Sequence, residues 1–277
     1  MMNAVLLCNA YPHKTVSGAI IDAFEYYFAI LEHNPEMRMI LIDFNVEFKQ
    51  YLFNIIEERY NLDDLNWKDN IENIRRFNIV HYVFEKVLIL DYTTINRLRG
   101  ILKAGEIDVI TEITIISDLH TDNPEYMFRK DLYNVTYYGE MPFVYKDTPY
   151  RMKLLFDRMR KIDGTRKGYY INSPGNDNYN FIEELNLDRN RSIYFKQTDH
   201  FKNLFEFFDR FIYYHANKYF DPHPRLFLEC AYYGKKIFYY NPYDVRDGSY
   251  YRFNDLNDRG LSDRFLNKDD EIVKLFI

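Results

Sequence analysis

Two acidic side chains, Asp221 and Glu229, stand with seven residues between them in the segment FIYYHANKYFDPHPRLFLECAYYGKKIFYYN, residues 211–241. The apolar run that opens this segment predicts a buried strand, and the residues around Glu229 predict a helix. A helix that starts beyond the carboxyl end of a parallel strand points free backbone N–H groups and its positive dipole end at an anion such as a diphosphate. A carboxylate one or two turns into that helix can accept hydrogen bonds from a ribose diol. The segment therefore favours the binding of a nucleotide.

The same segment resembles the signature of the retaining GT-B glycosyltransferases, in which Glu, seven residues and a second Glu are followed by a short helix, Gly-Lys and a strand. Here Asp221 occupies the first acidic position, Glu229 the second, and Gly234-Lys235 precedes a strand predicted at Lys236–Tyr240. The resemblance covers residues 211–241, and over the rest of the chain it extends only to the order of the elements. It implies that Glu229 binds the donor ribose and that Asp221 lies at the transferred sugar.

The segment departs from the family pattern at two points. Asp221 is one methylene shorter than the usual Glu, and Pro224-Arg225 replaces a Gly-hydrophobic pair at the start of the helix. Proline suits a first helical turn because its missing N–H costs nothing there. Arg225 then offers a fixed cation to the donor diphosphate, which suits metal-independent catalysis. These departures leave the sugar and the stereochemical outcome open.

Each of these residues also has a structural interpretation. Asp221 is compatible with a plain N-terminal cap, and Arg225 with a solvated surface cation. A single Glu on an apolar helix is more often paired or exposed than a ligand, so Glu229 gains its weight from the matched segment.

Further donor contacts are expected where other strands of the second half end. Lys196 follows one predicted strand, and the turn that contains Ser173 and Gly175 follows another. Because the carboxyl ends of parallel strands share one edge of a sheet, we expect these residues to face the same ligand as Glu229.

The first half supplies candidate acceptor-side residues. His13 and Gly18 follow the first predicted strand, where the resemblance implies a small-residue loop near the diphosphate or the acceptor. Asp118 and His120 follow another strand and offer an acid and an imidazole to an acceptor hydroxyl. With Asp122 they could suggest a metal site, but no further ligand stands at a recognisable spacing, so no metal is predicted.

Apolar runs alternate with amphipathic stretches along the chain, which is typical of helices that cross over a parallel sheet. Strands are predicted at residues 5–9, 37–43, 86–90, 113–117, 168–171, 192–195, 211–215 and 236–240, helices at 18–32, 47–60, 94–103, 148–162, 179–185, 200–209 and 224–233, and an irregular or short-strand passage at 136–145. A chain of 277 residues is long for one compact domain and suits two. We therefore predict an α/β fold of two Rossmann-like lobes, the GT-B arrangement, with the ligand between them: residues 1–147 form the acceptor-side lobe and residues 148–277 the nucleotide-sugar-binding lobe.

The charge distribution bears on the acceptor. The formal net charge of −6 opposes a general nucleic-acid binder. Residues 151–167, however, hold seven basic residues and two acids, a local excess of five positive charges. This basic segment is most simply a solvated face, but it also suits a polyanion such as DNA.

Compartment and partners follow from composition. No stretch approaches the ~20 apolar residues that span a bilayer, and the N-terminus does not resemble a signal peptide, so we expect a cytoplasmic protein without membrane association. The two cysteines have no metal-type spacing and fit a reducing compartment. The chain has 27 Tyr and 23 Phe against 10 Gly and 9 Pro, which suggests an AT-rich genome and favours a virus or phage.

The sequence therefore predicts a hexosyl or pentosyl transferase that uses a nucleotide sugar, most simply a UDP-sugar, and no tightly bound cofactor. The favoured acceptor is a hydroxymethylated pyrimidine in DNA, so the favoured enzyme is a phage-type DNA glycosyltransferase. Two alternatives remain: a transferase acting on a glycan or small molecule, and a degenerate GT-B pair that only binds a nucleotide or a protein partner.

Overall fold

The computed structural model of the chain describes residues 2–9, 16, 18–90, 94, 98, 100–101, 108–116, 134–138, 157–172, 183, 186–195, 204–214, 226–240, 254–255 and 274–277. The chain divides into two compact units, which consist of Met1–Met159 with Leu266–Ile277 and of Arg160–Phe265. The sequence placed the boundary after residue 147, whereas in the structure the first unit extends to Met159 and also contains the C-terminal residues. Among the described residues, no helix is long and apolar enough to cross a membrane.

The first unit contains a parallel sheet. Its strands are β1 (Met2–Asn9), β2 (Arg38–Ile42), β3 (Ile71–Ile74), β4 (Val83–Leu90), β5 (Asp108–Ile116) and β6 (Asn134–Tyr138). They lie in the order β3-β2-β1-β4-β5-β6, and every neighbouring pair is parallel. This is the doubly wound order, in which the direction of winding reverses between β1 and β4.

Helices α1 (Gly18–Leu31) and α2 (Val46–Arg59) follow β1 and β2. Both begin and end within a residue of their predicted bounds. The start of α2 is fixed by its cap, because the Asn45 side chain accepts a hydrogen bond from the Phe48 backbone N–H at 2.6 Å. The cap satisfies one of the helix's free N–H groups and aligns α2 behind β2.

Aromatic side chains fill the space between α1 and α2. The ring of Trp67 lies 4.8 Å from that of Phe53 and 5.6 Å from that of Phe28, measured between centroids. The Tyr27 hydroxyl donates to the Trp67 carbonyl at 2.7 Å, so the loop that carries Trp67 is held by both packing and a buried hydrogen bond. Edge-to-face pairs of this kind contribute about 0.5–1.5 kcal/mol each beyond the area they bury.

The second unit contains another largely parallel sheet. Its strands are β7 (Gly168–Asn172), β8 (Ser192–Phe195), β9 (Arg210–Tyr214), β10 (Lys236–Tyr240) and β11 (Asn254–Asp255). They lie in the order β11-β10-β9-β7-β8, with only β11 antiparallel among the described strands. The helix between β9 and β10 is α3 (Leu226–Tyr232). The predicted α/β class with parallel sheets is therefore confirmed, and every predicted strand overlaps a strand of the structure.

Two strands of the first unit were harder to predict. β3 has the burial pattern buried, exposed, exposed, buried, because it is a short edge strand whose Glu72 and Asn73 face solvent. It therefore lacks both the continuous apolar run and the strict alternation that mark strands in a sequence. β6 overlaps the start of the passage, residues 136–145, that was predicted as irregular or as a short strand.

The predicted helix at residues 148–162 ends too late. Among its described residues, 157–158 are helical, whereas Met159 pairs with Tyr60 in an antiparallel bridge and residues 160–162 are not helical. The cause is the neighbouring Arg158, whose guanidinium donates to both carboxylate oxygens of Asp64 at 2.6 and 3.0 Å and to Glu32 at 3.0 Å. These contacts bind the end of this segment to the residues that follow α1 and α2, so the helix ends before the position that its apolar pattern predicts.

The predicted helix at residues 200–209 is also wrong in its second half. Only Leu204–Glu206 is helical among the described residues, as a single 3-10 turn. The helix does not continue to Asp209, because the backbone of this residue pairs with neighbouring strands: its N–H donates to the Gly168 carbonyl at 3.2 Å and its carbonyl accepts from the Lys236 N–H. Its carboxylate accepts from the Gly168 N–H at 2.9 Å and from the Arg191 guanidinium at 2.7 and 2.9 Å.

Asp209 thereby links the amino ends of four strands. Gly168 begins β7, Arg191 precedes β8, Asp209 itself precedes β9, and its carbonyl accepts from the first residue of β10, Lys236, at 3.0 Å. Burial raises the pKa of Asp209, but the bonds from Arg191 and the Gly168 N–H outweigh it and leave the pKa below its usual value.

Replacing Asp209 by Asn is expected to lower the free energy of unfolding by about 1 kcal/mol near neutral pH, after a discount for partial exposure. Since the folded pKa lies below the unfolded one, this stabilisation is present above about pH 4 and is lost as the pH falls further. Urea denaturation at neutral pH and at about pH 3 measures the difference in unfolding free energy between the variant and the wild type, which should shrink in acid. The control is Asp188→Asn, whose half-exposed carboxylate lies 3.8 Å from Arg191. A deficit that is independent of pH would contradict the assignment.

Candidate functional site

The described part of the 211–241 segment, whose sequence resembles the glycosyltransferase signature, contains a strand, a helix and a parallel strand. β9 and β10 pair in parallel from Arg210 with Lys236 to Tyr214 with Tyr240, and α3 connects them. A parallel pair requires such a crossover, so α3 packs on a face of the sheet and runs back from its carboxyl edge. The helix predicted at residues 224–233 is thus present at its expected place.

Glu229 lies on the buried side of α3. Its side chain is 1% exposed, and the adjacent Cys230 is fully buried as a free thiol. Burial raises the pKa of Cys230, the negative charge of Glu229 raises it further, and Lys235 partly opposes the shift. Glu is among the residue types that are least often buried.

The Gly-Lys pair of the signature ends the helix. Gly234 has φ +64°, the left-handed conformation that favours glycine, and the Lys235 N–H returns to the Cys230 carbonyl at 2.8 Å. This hydrogen bond closes the last turn of α3, so the chain can enter β10 directly.

Lys235 is a buried structural cation. Its ammonium donates to the Thr165 hydroxyl at 2.7 Å and to the Phe205 carbonyl, and lies 5.5 Å from the centroid of the Phe208 ring. Burial lowers the pKa of this ammonium. Since Lys235 precedes β10, it lies at the amino edge of the sheet, the edge opposite to the one where ligands bind in such folds.

Asn172 is a residue that the sequence did not single out. It is the last residue of β7, is 4% exposed, and pairs in register with Tyr213 of β9. The strand order reverses between β7 and β9, and ligands of open parallel sheets bind in the crevice outside the carboxyl ends at such a point. A polar residue closing the apolar run GYYIN just before the predicted Ser-Pro-Gly turn was the signal that could have identified it.

The structure describes two of the predicted site residues. Glu229 lies on α3 of the second unit, and Gly18 is the first residue of α1, which follows β1 in the first unit. The predicted contacts that lie outside the described residues are Asp221, His13, Asp118, His120, Arg225, Lys196, Ser173 and Gly175. Their roles stay predictions.

The basic segment at residues 151–167 is less available to a polyanion than its charge suggests. Arg158 is engaged by Asp64 and Glu32, as described above. In the described part of the segment, the cations most exposed to solvent are Lys161, Arg166 and Lys167, and the Arg166 guanidinium lies over the Phe207 ring at 5.0 Å.

No protein-family model, curated protein or solved structure matches the chain. The resemblance to the GT-B glycosyltransferases therefore stays a prediction from the residues of the 211–241 segment.

Gly234 offers a test of the helix end. Gly234→Ala is expected to destabilise the protein by about 1 kcal/mol, because alanine must adopt the left-handed conformation although no atom lies within 4 Å of the added Cβ. Gly100 is the matched control: it is helical and exposed, and its Cβ also meets nothing within 4 Å. Gly100→Ala should therefore stabilise by about 0.5–1 kcal/mol. Thermal unfolding measures both, and shifts of the same sign would contradict the cap.

Proposed function

We propose that the chain is a glycosyltransferase that moves a sugar from a nucleotide-sugar donor, most simply a UDP-sugar, to an acceptor hydroxyl. The observation that carries the proposal is the placement of Glu229: a buried carboxylate on the helix of a parallel strand–helix–strand unit, in the segment whose sequence resembles the family signature. The two units would form the lobes of a GT-B enzyme, with the donor in the second unit and the acceptor in the first.

The topology of the second sheet supports a donor site at its carboxyl edge. Its winding reverses between β7 and β9, and α3 returns from the end of β9. The amino edge is closed by Asp209, Arg191 and Lys235, all of which are bonded within the protein. The carboxyl edge is where β7 ends in the buried Asn172 and where the predicted donor loops begin.

In this proposal Glu229 accepts hydrogen bonds from the donor ribose, and Asp221 lies at the transferred sugar. Arg225 and Lys196 neutralise the diphosphate as it departs, and Ser173 and Gly175 shape the turn beside it. His13, Gly18, Asp118 and His120 belong to the acceptor side, where an imidazole or carboxylate can take the proton of the attacking hydroxyl. Charge that develops on the leaving diphosphate is stabilised more in the transition state than in the bound donor, which is the source of the rate.

A thermal-shift and turnover screen with UDP-, GDP- and ADP-sugars tests the donor site. We expect one donor to raise the melting temperature of the wild type and to be turned over slowly even with water as acceptor. Glu229→Gln should weaken this donor by about tenfold or more, because it removes a hydrogen bond to a charged group. Glu183→Gln is the matched control, since its surface pair with Arg189 is 71% and 72% exposed and contributes little.

Glu229 is buried, so the unliganded melting temperature of each variant must be measured alongside. Glu229→Asp provides a second variant that keeps the charge and withdraws it by one methylene. If no nucleotide sugar stabilises the wild type, the proposal fails. Binding without any turnover would instead support the alternative of a nucleotide-binding protein.

For the acceptor we propose DNA that carries hydroxymethylated pyrimidines, bound in part by the basic segment. Because Arg158 is already paired with acids, the described residues that suit phosphate contacts are Lys161 and Lys167. Both are exposed and lie between Arg158 and β7.

Salt-dependent DNA binding tests the acceptor class. Lys161→Gln and Lys167→Gln should each weaken binding and reduce the slope of log K against log salt by about one. Lys274→Gln, an exposed lysine of the C-terminal residues, is the control and should leave the slope unchanged. Absence of DNA binding, or slopes that all three variants share with the wild type, would favour a glycan or small-molecule acceptor.

A further inference from the structure

Polar and aromatic side chains gather at the carboxyl ends of β2 and β3 in the first unit. Asp43 directly follows β2, and Arg75, Arg76 and Phe77 directly follow β3. We infer that this edge is a binding site for a ribonucleotide, with Asp43 holding the ribose diol and Phe77 stacking on the base. The site lies in the unit that does not contain Glu229, and it does not rest on the proposed transferase activity.

The topology supplies the first argument. The first sheet has the doubly wound order, and β2 lies directly beside β1, next to the point where the winding reverses. In folds of this order an acid at the end of the second strand is placed to accept hydrogen bonds from a ribose. Asp43 occupies that position. Residues 10–17 contain no glycine, so the sequence there lacks the Gly-rich phosphate-binding fingerprint of dinucleotide folds, and the inference is confined to a mononucleotide.

The second argument is the way in which Asp43 is held. Its backbone has φ +59°, a left-handed conformation that costs a non-glycine residue energy. Two hydrogen bonds fix it there: the Asp43 N–H donates to the Ile74 carbonyl at 2.9 Å, and its Oδ1 accepts from the Arg76 N–H at 3.1 Å. Strained residues held in this way are frequent at ligand sites.

The residues that follow Asp43 are fixed as well. The Asn73 side chain donates to the Phe44 carbonyl at 2.8 Å, and Asn45 caps α2. The rim between β2 and β3 is therefore organised before any ligand arrives, which reduces the entropy lost on binding.

The third argument is the exposure of Phe77. Its side chain is 65% exposed. Phe77 directly follows Arg76, whose backbone N–H donates to the Asp43 carboxylate. The Arg76 guanidinium lies 4.4 Å from the centroid of the Phe77 ring and holds it by a cation–π contact. An exposed ring that lies beside an arginine, in the residue next to the N–H that binds the Asp43 carboxylate, offers a planar surface for a base near an acceptor for sugar hydroxyls. The exposed Arg75 adds a cation for the phosphate.

Isothermal titration calorimetry of the full chain with AMP, 2′-deoxy-AMP, UMP and 2′-deoxy-UMP tests the inference. The wild type should bind at least one ribonucleotide at least about fivefold more tightly than its deoxy form, as expected for a hydrogen bond to a carboxylate. Asp43→Asn should remove this preference without loss of fold, because Asn tolerates the left-handed conformation and its amide oxygen can accept from Arg76. Phe77→Ala should weaken both forms by about tenfold.

Matched controls separate this site from the proposed donor site. Glu58→Gln and Val46→Ala alter an exposed acid and a side chain that is 81% exposed in the same unit, and should leave binding unchanged. The proposed donor site would also bind a ribonucleotide, so the titrations are repeated in the Glu229→Gln background, where the preference that depends on Asp43 should persist. The inference is overturned if none of the four nucleotides binds, if Asp43→Asn retains the ribose preference in the Glu229→Gln background, or if binding is lost in Glu229→Gln and kept in Phe77→Ala.

Discussion

Parallel pairing of strands is the constraint on which both units depend. A parallel strand can be joined to its neighbour only by a crossover that returns over a face of the sheet, so helices such as α1, α2 and α3 cover strands that are buried on both sides. The pattern of β7, buried at all five positions, is the direct consequence. The same constraint brings all the carboxyl ends of a sheet to one edge, and the polar residues that end β2 and β7 lie on such edges.

The two edges of the second sheet are used differently. At the amino edge, Asp209 and Arg191 pair with each other, and Lys235 is bonded to Thr165 and a backbone carbonyl. Charges that are buried or partly buried are tolerable when such partners are present, so these residues serve the fold. Ligands of open parallel sheets bind outside the carboxyl edge. The proposed donor residues accordingly belong to α3 and to the segments that follow the carboxyl ends of β7, β8 and β9 in the sequence.

Counting charges along the sequence overstated the basic segment as a surface for polyanions. Arg158 contributes to that count, but its guanidinium is shared by Asp64 and Glu32, which lie far from it in sequence. These bonds fix Arg158, and with it the end of the Met1–Met159 part of the first unit, to the residues that follow α1 and α2. A cation that is paired in this way adds stability and loses most of its attraction for phosphate.

The sequence by itself determined the α/β class, the eight strands with strong apolar runs, the start and end of α1 and α2 and the end of α3, because hydrophobic period, caps and the glycine at position 234 are local signals. Tertiary structure decided the rest. Strand order, the edge strand β3, the end of the helix at Arg158 and the truncated helix before Asp209 all depend on partners distant in sequence. The same holds for the juxtaposition of Asp43 with Arg76 and for the register that places Asn172 beside Tyr213. Long-range hydrogen bonds and ion pairs leave no periodic trace in a chain, so only the folded structure reveals which polar residues they join.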